Sequence, residues 1–314
     1  MGRQLPGAEQ VLLPALAALG GHVVWRANSR VVSALESVLP ENVDIHAYAA
    51  LVALGDGVPR SQQALARTIS VSRTTVMRVA ADLADQGLVE RVRNPDDRRS
   101  YLLTRTPEGG TAARTWRRHV DELEAAIISG LSPRQRDDLH ALLLKVVEPD
   151  LAPDTPEALR SGIGFLITRL HHAMRIDFAV ALEPIGLEPP HAGLLVALES
   201  TGPISQSELA RVFAVSGAHM VQLVDELEER GLVERRRLET DRRAQVLHLL
   251  PAAKQRLVQA LPLAGTVVEE CLGTLTPHQS DRLLSLLRRL VTSPWPAADR
   301  APASGPRRGR IRLP

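Results

Sequence analysis

Apolar positions along this 314-residue chain recur mostly at helical spacing. Val24, Val31, Leu35 and Val38 mark a first helix, and Ile163, Leu166, Leu170 and Phe178 mark a second of the same kind. Between them the pattern predicts a helix over about 46 to 54, two short helices over about 61 to 83, and long helices over about 111 to 129 and 133 to 147. The period switches to two after Gly87, a residue suited to a helix C-terminus. There LVERVR alternates as a strand, NPDD supplies turn chemistry, and RRSYLLTR returns as a second strand. Pro133 and Pro277 follow Ser132 and Thr276, as in the first turn of a capped helix.

The pattern occurs twice. SQQALARTISVSRTTVMRVAADLADQGLVER at 61 to 91 lies on SQSELARVFAVSGAHMVQLVDELEERGLVER at 205 to 235, an offset of 144. The same offset places ALVAL at 50 to 54 on LLVAL at 194 to 198, and LSPRQRDDLHALLLKVV at 131 to 147 on LTPHQSDRLLSLLRRLV at 275 to 291. One shift that aligns three separated stretches without a gap implies a duplication. The expected units are copy 1 over 20 to 148, a proline-rich connector over 149 to 159, copy 2 over 160 to 292, and a flexible basic tail over 293 to 314. The expected fold class is mainly α with small β wings.

LARTISVSRTTVMRVAADL at 65 to 83 reads as two short amphipathic helices around a tight polar turn, with Ser72 placed to cap the second. Val76, Val79 and Leu83 form its inward face, which leaves Arg73, Thr74, Thr75 and Arg78 outward near its start. A helix-turn-helix presents such side chains to the major groove, although a solvated helix face carries the same residue types. Copy 2 places Ser216 at the cap, with Gly217, Ala218, His219 and Gln222 on the equivalent face. Arginines near the tip of the hairpin suit the negative potential of a minor groove. Asp97 beside Arg98 and Arg99 suits a residue that holds the hairpin in one pose.

The string LAxxxxVSRxTVxRxxxxLxxxGLVER followed by NPDDRRS resembles the multiple-antibiotic-resistance regulator (MarR) family, and both copies carry the pattern. The resemblance implies two winged helix-turn-helix domains, double-stranded DNA as partner, and dimerisation through the first and last two helices of each copy. It implies that the wing motif Asp-x-Arg, here Asp97 with Arg99 and Asp241 with Arg243, supplies the minor-groove arginine, and that Arg98 and Arg242 contact phosphate. With both copies on one chain, the resemblance points to an intramolecular pseudo-dimer joined through a helical dimerisation-like region. The alternative is a homodimer of chains with four winged domains. The family also implies a ligand-responsive repressor with a small aromatic or phenolic effector, for which Trp25, Arg26, Trp116 and Arg117 are the copy 1 candidates; a tryptophan at a helix interface is more often core.

Other chemistry adds little. His171, His172, Asp177 and His191 lack a recognisable metal-ligand spacing and read as surface or capping groups, so no metal or cofactor is expected. Cys271, the only cysteine, falls on a C-terminal helix and reads as packing; one cysteine excludes an internal disulfide framework and favours the cytoplasm. No phosphate loop or nucleophile elbow supports an enzyme. Val11 to Leu19 lacks the pattern of a signal peptide, and no run of apolar residues is long enough to span a membrane. At 44% hydrophobic and 24% charged the composition is globular, and the formal +2 reflects five arginines in the tail. Over 61 to 105 eight arginines face five acids, whereas over 205 to 249 seven face eight, so copy 2 is expected to bind DNA more weakly. The competing function is a protein-interaction module that has lost specific DNA binding.

Overall fold

The computed structural model describes residues 12–95, 97, 100–213, 215–237 and 245–294. Copy 1 begins with a short helix α1 (Pro14–Ala17) and the long α2 (Gly20–Val38). It continues through α3 (Ile45–Ala53), α4 (Gln62–Thr68), α5 (Arg73–Asp85), the hairpin β1 (Val89–Arg93) and β2 (Tyr101–Arg105), and the long helices α6 (Pro107–Ile127) and α7 (Pro133–Val147). After a short helix α8 (Glu157–Arg160), copy 2 repeats the order with α9 (Ile163–Leu182), α10 (Pro189–Thr201), β3 (Ile204–Ser205), α11 (Gln206–Phe213), α12 (Gly217–Glu229), β4 (Val233–Arg237), β5 (Gln245–Leu249), α13 (Pro251–Cys271) and α14 (Pro277–Thr292). The offset of 144 carries both bounds of α5, β1, β2 and α6 onto those of α12, β4, β5 and α13. Ser132 and Thr276 form full capping boxes with Gln135 and Gln279, which fixes the starts of α7 and α14.

Two differences from the sequence pattern have local causes. The expected helix at 111 starts a turn earlier, because Thr106 accepts a hydrogen bond from Gly109 N and Pro107 occupies the first turn. Gly109 permits this start: a Cβ there would lie 2.1 Å from the Leu88 carbonyl oxygen. The second difference is at the wing, where β1 pairs antiparallel with β2 from Val89↔Arg105 to Arg93↔Tyr101, but copy 2 adds β3 beside β5. In copy 1 the equivalent of β3 is a single bridge from Arg60 to Leu103.

Each copy has its own winged-domain core. In copy 1 Tyr48, Leu51, Leu65, Val76, Val79, Leu83 and Trp116 pack together, and in copy 2 Leu194, Leu195, Leu209, Phe213, Val224 and Leu227 do so. A third core belongs to neither copy alone, since Val23, Ala27 and Val31 of α2, Leu139 and Leu143 of α7, Leu166, Ile167 and Leu170 of α9, and Leu283, Leu287 and Leu290 of α14 share it. Contacts across it are reciprocal: α2 lies on α9, α7 on α14, α2 on α14 and α9 on α7. The arms cross as well, because Leu16 of α1 is buried in the copy 2 core and Leu159 of α8 in the copy 1 core. The result is a mostly helical pseudo-dimer within one chain.

A buried carboxylate lies in the shared interface. The Glu124 carboxylate of α6 accepts from Gly164 N at 3.0 Å and so caps α9 of the other copy. Burial pushes its carboxyl up to about 7, against the backbone hydrogen bonds from Gly164 and Ile163, with Asp121 adding to the rise. The folded state therefore holds a proton that the unfolded chain releases near pH 4.5, and stability falls as pH rises from about 4.5 to about 7. Denaturant unfolding should show a loss on the order of 3 kcal/mol attributable to this group over that window. Glu124→Gln should flatten that part of the pH profile; an unchanged profile would remove Glu124 as its source.

Candidate nucleic-acid interface

The outward face of α5 is built by a cap and a buried stripe. Ser72 accepts from Thr75 N at 3.1 Å and its hydroxyl lies 2.8 Å from that of Thr75, so both side chains are engaged in starting the helix. Val76, Val79, Ala80 and Leu83 are buried, which turns Arg73, Thr74 and Arg78 to solvent. The turn before it is held by Val71 N donating to the Ala66 carbonyl and by Ser70 in the left-handed region at φ 57°. Arg78 donates to Asp44 at 3.0 Å and to Asp82 at 3.2 Å, both across exposed surface. Asp44 in turn caps α3 by accepting from His46 N and Ala47 N.

The pattern of polar residues missed one group on this face. Met77 is 51% exposed, and its equivalent in copy 2, Val221, is 43% exposed. A large apolar side chain beside Arg73 and Arg78 suits contact with a thymine methyl group. A face marked in sequence by its polar residues gives no sign of an apolar member, which only its exposure reveals.

Copy 2 builds the same frame with different groups. Ser216 accepts from His219 N at 3.2 Å, and His219 and Gln222 are exposed. Gln222 donates to Glu226 at 3.2 Å, and Glu226 also meets the ring of His191 at 2.8 Å. Recognition helices in both copies end on a glycine at positive φ, Gly87 at 70° and Gly231 at 65°, a conformation that favours glycine.

Asp97 closes the copy 1 wing turn through its carbonyl, which accepts from Ser100 N at 3.0 Å and from the Ser100 hydroxyl at 3.1 Å. Arg98, Arg99, Asp241, Arg242 and Arg243 lie outside the described residues. At the root of the wing, Thr106 donates to the Gly87 carbonyl at 2.8 Å. Arg60, absent from the sequence reading, is buried there; it pairs with Asp56 and Asp154 at 2.6 and 3.1 Å and donates to the Ala53 carbonyl. It thereby fastens the copy 1 wing to the segment that leads into copy 2.

The four effector candidates of copy 1 do not line one cavity. Trp25 and Arg26 face copy 2: Arg26 Nη1 donates to the Val212 carbonyl at 2.8 Å, and the Trp25 ring packs near Phe213 and His22. Trp116 is part of the copy 1 core, while Arg117 is exposed and pairs with Asp121 at 2.8 Å. Arg117 borders an open cleft with Tyr48, Arg105 and Arg114. The separation follows from helix geometry, since adjacent residues on α6 point to different faces. Burial, then the charge of Arg26, depresses the pKa of His22 to about 3 and keeps its ring neutral.

His191, expected as a surface or capping group, is fully buried and bonded to Glu226. Its place on the inward face of α10 between Leu194 and Leu195 and the α12 helix explains the difference. Cys271 is half-buried; burial, then Asp177, which accepts from its thiol at 3.2 Å, pushes the pKa up to about 12 and keeps sulfur protonated. Among the described residues no group of three or more His, Cys, Asp or Glu is arranged to hold a metal ion. Nor is any described helix long and apolar enough to cross a membrane.

A family model described as "MarR family" matches residues 42–100 and 185–244, one stretch in each copy. The chain belongs to the MarR family. Among the relatives of this MarR-family chain is the putative transcriptional regulatory protein for the hcr operon of Thauera aromatica, 29% identical over 46% of this chain and 89% of that protein. The HTH-type transcriptional repressor NicR of Pseudomonas putida is 28% identical over 48% of this chain and 96% of that protein. A crystal structure of a probable transcriptional regulator from Pseudomonas aeruginosa is 30% identical, covers 41% of this chain and 96% of its own, and has a TM-score of 0.39. Each relative corresponds in length to about half of this chain. Relatives of this kind are regulators, and the chain is not an enzyme.

The Ser72 cap contributes a measurable share of the stability of this MarR-family helix. Ser72→Ala should lower unfolding free energy by about 1 kcal/mol and Ser72→Gly by only a few tenths. Chemical denaturation of both variants checks the order; a glycine variant less stable than the alanine variant would assign Ser72 a role other than the cap.

Proposed function

We propose that this MarR-family regulator binds DNA as a repressor in which one chain supplies both halves of the usual dimer. The observation that carries the reading is the pair of outward-facing helices α5 and α12, each started by a serine cap and packed in its own winged core, the two cores being joined by the shared helical core. In this reading the chain divides into domains over 20 to 148 and 160 to 292, joined by 149 to 159, and these helices enter successive major grooves. Arg73, Thr74, Met77 and Arg78 read base edges or methyl groups in copy 1, with His219 and Gln222 in their place in copy 2. Ser72, Thr75 and Ser216 hold the helix starts against the backbone of the DNA. Arg98, Arg99, Arg242 and Arg243 enter or flank the minor groove, with Asp97 and Asp241 fixing the wings. A small aromatic or phenolic effector, expected from the family, relieves repression, and the protein acts in the cytoplasm.

An electrophoretic shift with the DNA upstream of its own gene tests the reading. A specific, competitor-resistant complex is expected, and Arg73→Ala and Arg99→Ala should each weaken it by about 1 to 3 kcal/mol. No specific complex would leave the interaction-module reading in its place. Light scattering of the complex should give one chain per minimal duplex; two chains would establish the four-domain arrangement instead.

A further inference from the structure

The two copies differ sharply at the root of the wing. Arg235 of β4 donates from Nη2 to Asp225 at 2.5 Å, from Nη1 to Glu228, and from Nε and Nη2 to Gln206 at 3.4 and 3.3 Å. Its backbone N also donates to Glu228 at 3.0 Å. Gln206 begins α11 and Asp225 and Glu228 lie on α12, so one guanidinium ties the wing strand to both helices of the motif. Only 20% of the Arg235 side chain is exposed. Burial lowers its pKa, but the carboxylates of Asp225 and Glu228 outweigh that and hold it raised.

At the equivalent place in copy 1, Arg91 is exposed and forms no ion pair with a described residue. The offset of 144 puts Ala81 and Ala84 where copy 2 has Asp225 and Glu228. Arg78 is paired too, but with Asp44 and Asp82 at the open surface, where water and phosphate exchange readily with a carboxylate. Arg235 is different, because its side chain is 20% exposed against 52% for Arg78 and is held by Gln206 as well as two carboxylates, so reaching a phosphate means leaving all three. Neighbouring groups follow the same trend: Arg236 pairs with Glu234, and Gln222 with Glu226.

We propose that Asp225 and Glu228 form a counter-ion clamp that withholds Arg235 from the DNA backbone, leaving copy 1 as the reading half and copy 2 as the orienting half. The proposal rests on the DNA-binding reading above. Arg235 is a positioning residue in it, holding β4 against α11 and α12, while Arg91 is free to neutralise phosphate.

Full-length wild type, Arg91→Ala, Arg235→Ala and the double variant Asp225→Ala/Glu228→Ala are titrated on the upstream duplex and on an unrelated duplex across a salt series, with circular dichroism confirming the fold. The double variant copies what copy 1 already carries at 81 and 84. It should bind about tenfold tighter at physiological salt and steepen the plot of log affinity against log salt by about 0.9, one additional phosphate contact. Arg91→Ala should lose about fivefold or more and lower the salt slope by about 0.9, while Arg235→Ala, which leaves Asp225 and Glu228 without a counter-ion, should weaken binding with the slope unchanged. Adding Arg235→Ala to the double variant should abolish its gain. Should the alanine pair misfold, Asp225→Asn/Glu228→Gln carries the same expectation. Equal reductions in the salt slope from Arg91→Ala and Arg235→Ala would overturn the clamp, as would a gain that survives in the triple variant, since lost negative charge alone would then explain it. Wild type that binds neither duplex overturns the DNA-binding reading itself, a result separable from failure of the clamp.

Discussion

Each copy leaves its first and last helices half-covered, and the complementary helices of the other copy cover them. Val23, Ala27 and Val31 of α2 meet Leu166 and Leu170 of α9 in a core that also takes in Leu143 of α7 and Leu287 of α14. Truncating a buried leucine of this kind typically costs about 2 to 5 kcal/mol, so separated copies would expose a surface too large for either small winged core to offset. The short stretch from Glu148 to Gly162 keeps the partner at high local concentration. The crossed arms strengthen the same arrangement, because Leu16 and Leu159 each complete the winged core of the opposite copy. The spacing of α5 and α12 is therefore set by an interior contact and not by the wings they serve.

A pseudo-two-fold interface on one chain is released from the requirement that both sides match, and the structure records that release. Asp138 and Arg282 occupy equivalent positions, 144 apart, and pair with each other at 2.5 Å across the α7 and α14 contact. Two identical copies would set like charges against each other there. The pair is partly exposed, and pairs of this kind contribute at most about 1 kcal/mol, but like charges at the same place would oppose association, so the gain is one of selectivity. Glu124 has a second asymmetric counterpart: it caps α9 through Gly164, whereas its equivalent Val268 packs against the position of Gly20. Divergence at the DNA-facing surfaces has the same origin, since duplicated domains on one chain need not share a half-site.

What the sequence made legible was whatever repeats or has a fixed period. The offset of 144 predicted the order of elements in both copies, and the stripe of Val76, Val79 and Leu83 predicted the outward residues of α5. Helix starts follow from cap chemistry at Ser132 and Thr276, and the start of α6 lies a turn before the expected 111 because Thr106 caps it ahead of Gly109 and Gly110. The glycine at 109 is in fact what lets α6 approach the Leu88 carbonyl. Groups whose role depends on the other copy could not be read: Trp25 and Arg26 belong to a contact with Phe213 and Val212, and nothing local in α2 announces it. Arg60, Asp154 and the burial of His191 are likewise products of tertiary placement. The asymmetry between copies was visible as a charge count, but the reason that one arginine differs from another lay in the three-dimensional placement of Asp225 and Glu228.

The same crossed packing gives the halves a direct mechanical connection. Arg26 on α2 donates to the Val212 carbonyl at the end of α11, and Arg169 on α9 donates to the Ser70 carbonyl at the strained turn before α5. Each first helix thus holds the helix-turn-helix of the opposite copy by a charged donor on a backbone oxygen, an interaction stronger than a neutral hydrogen bond. Because α2 and α9 pack on each other in the shared core, the two motifs are linked through one helix pair. A ligand acting on this helix pair has no need of a long chain of intermediates to alter the spacing of α5 and α12. It would require only a different affinity for two settings of α2 against α9, with Arg26 and Arg169 as the direct links to the two helix-turn-helix motifs.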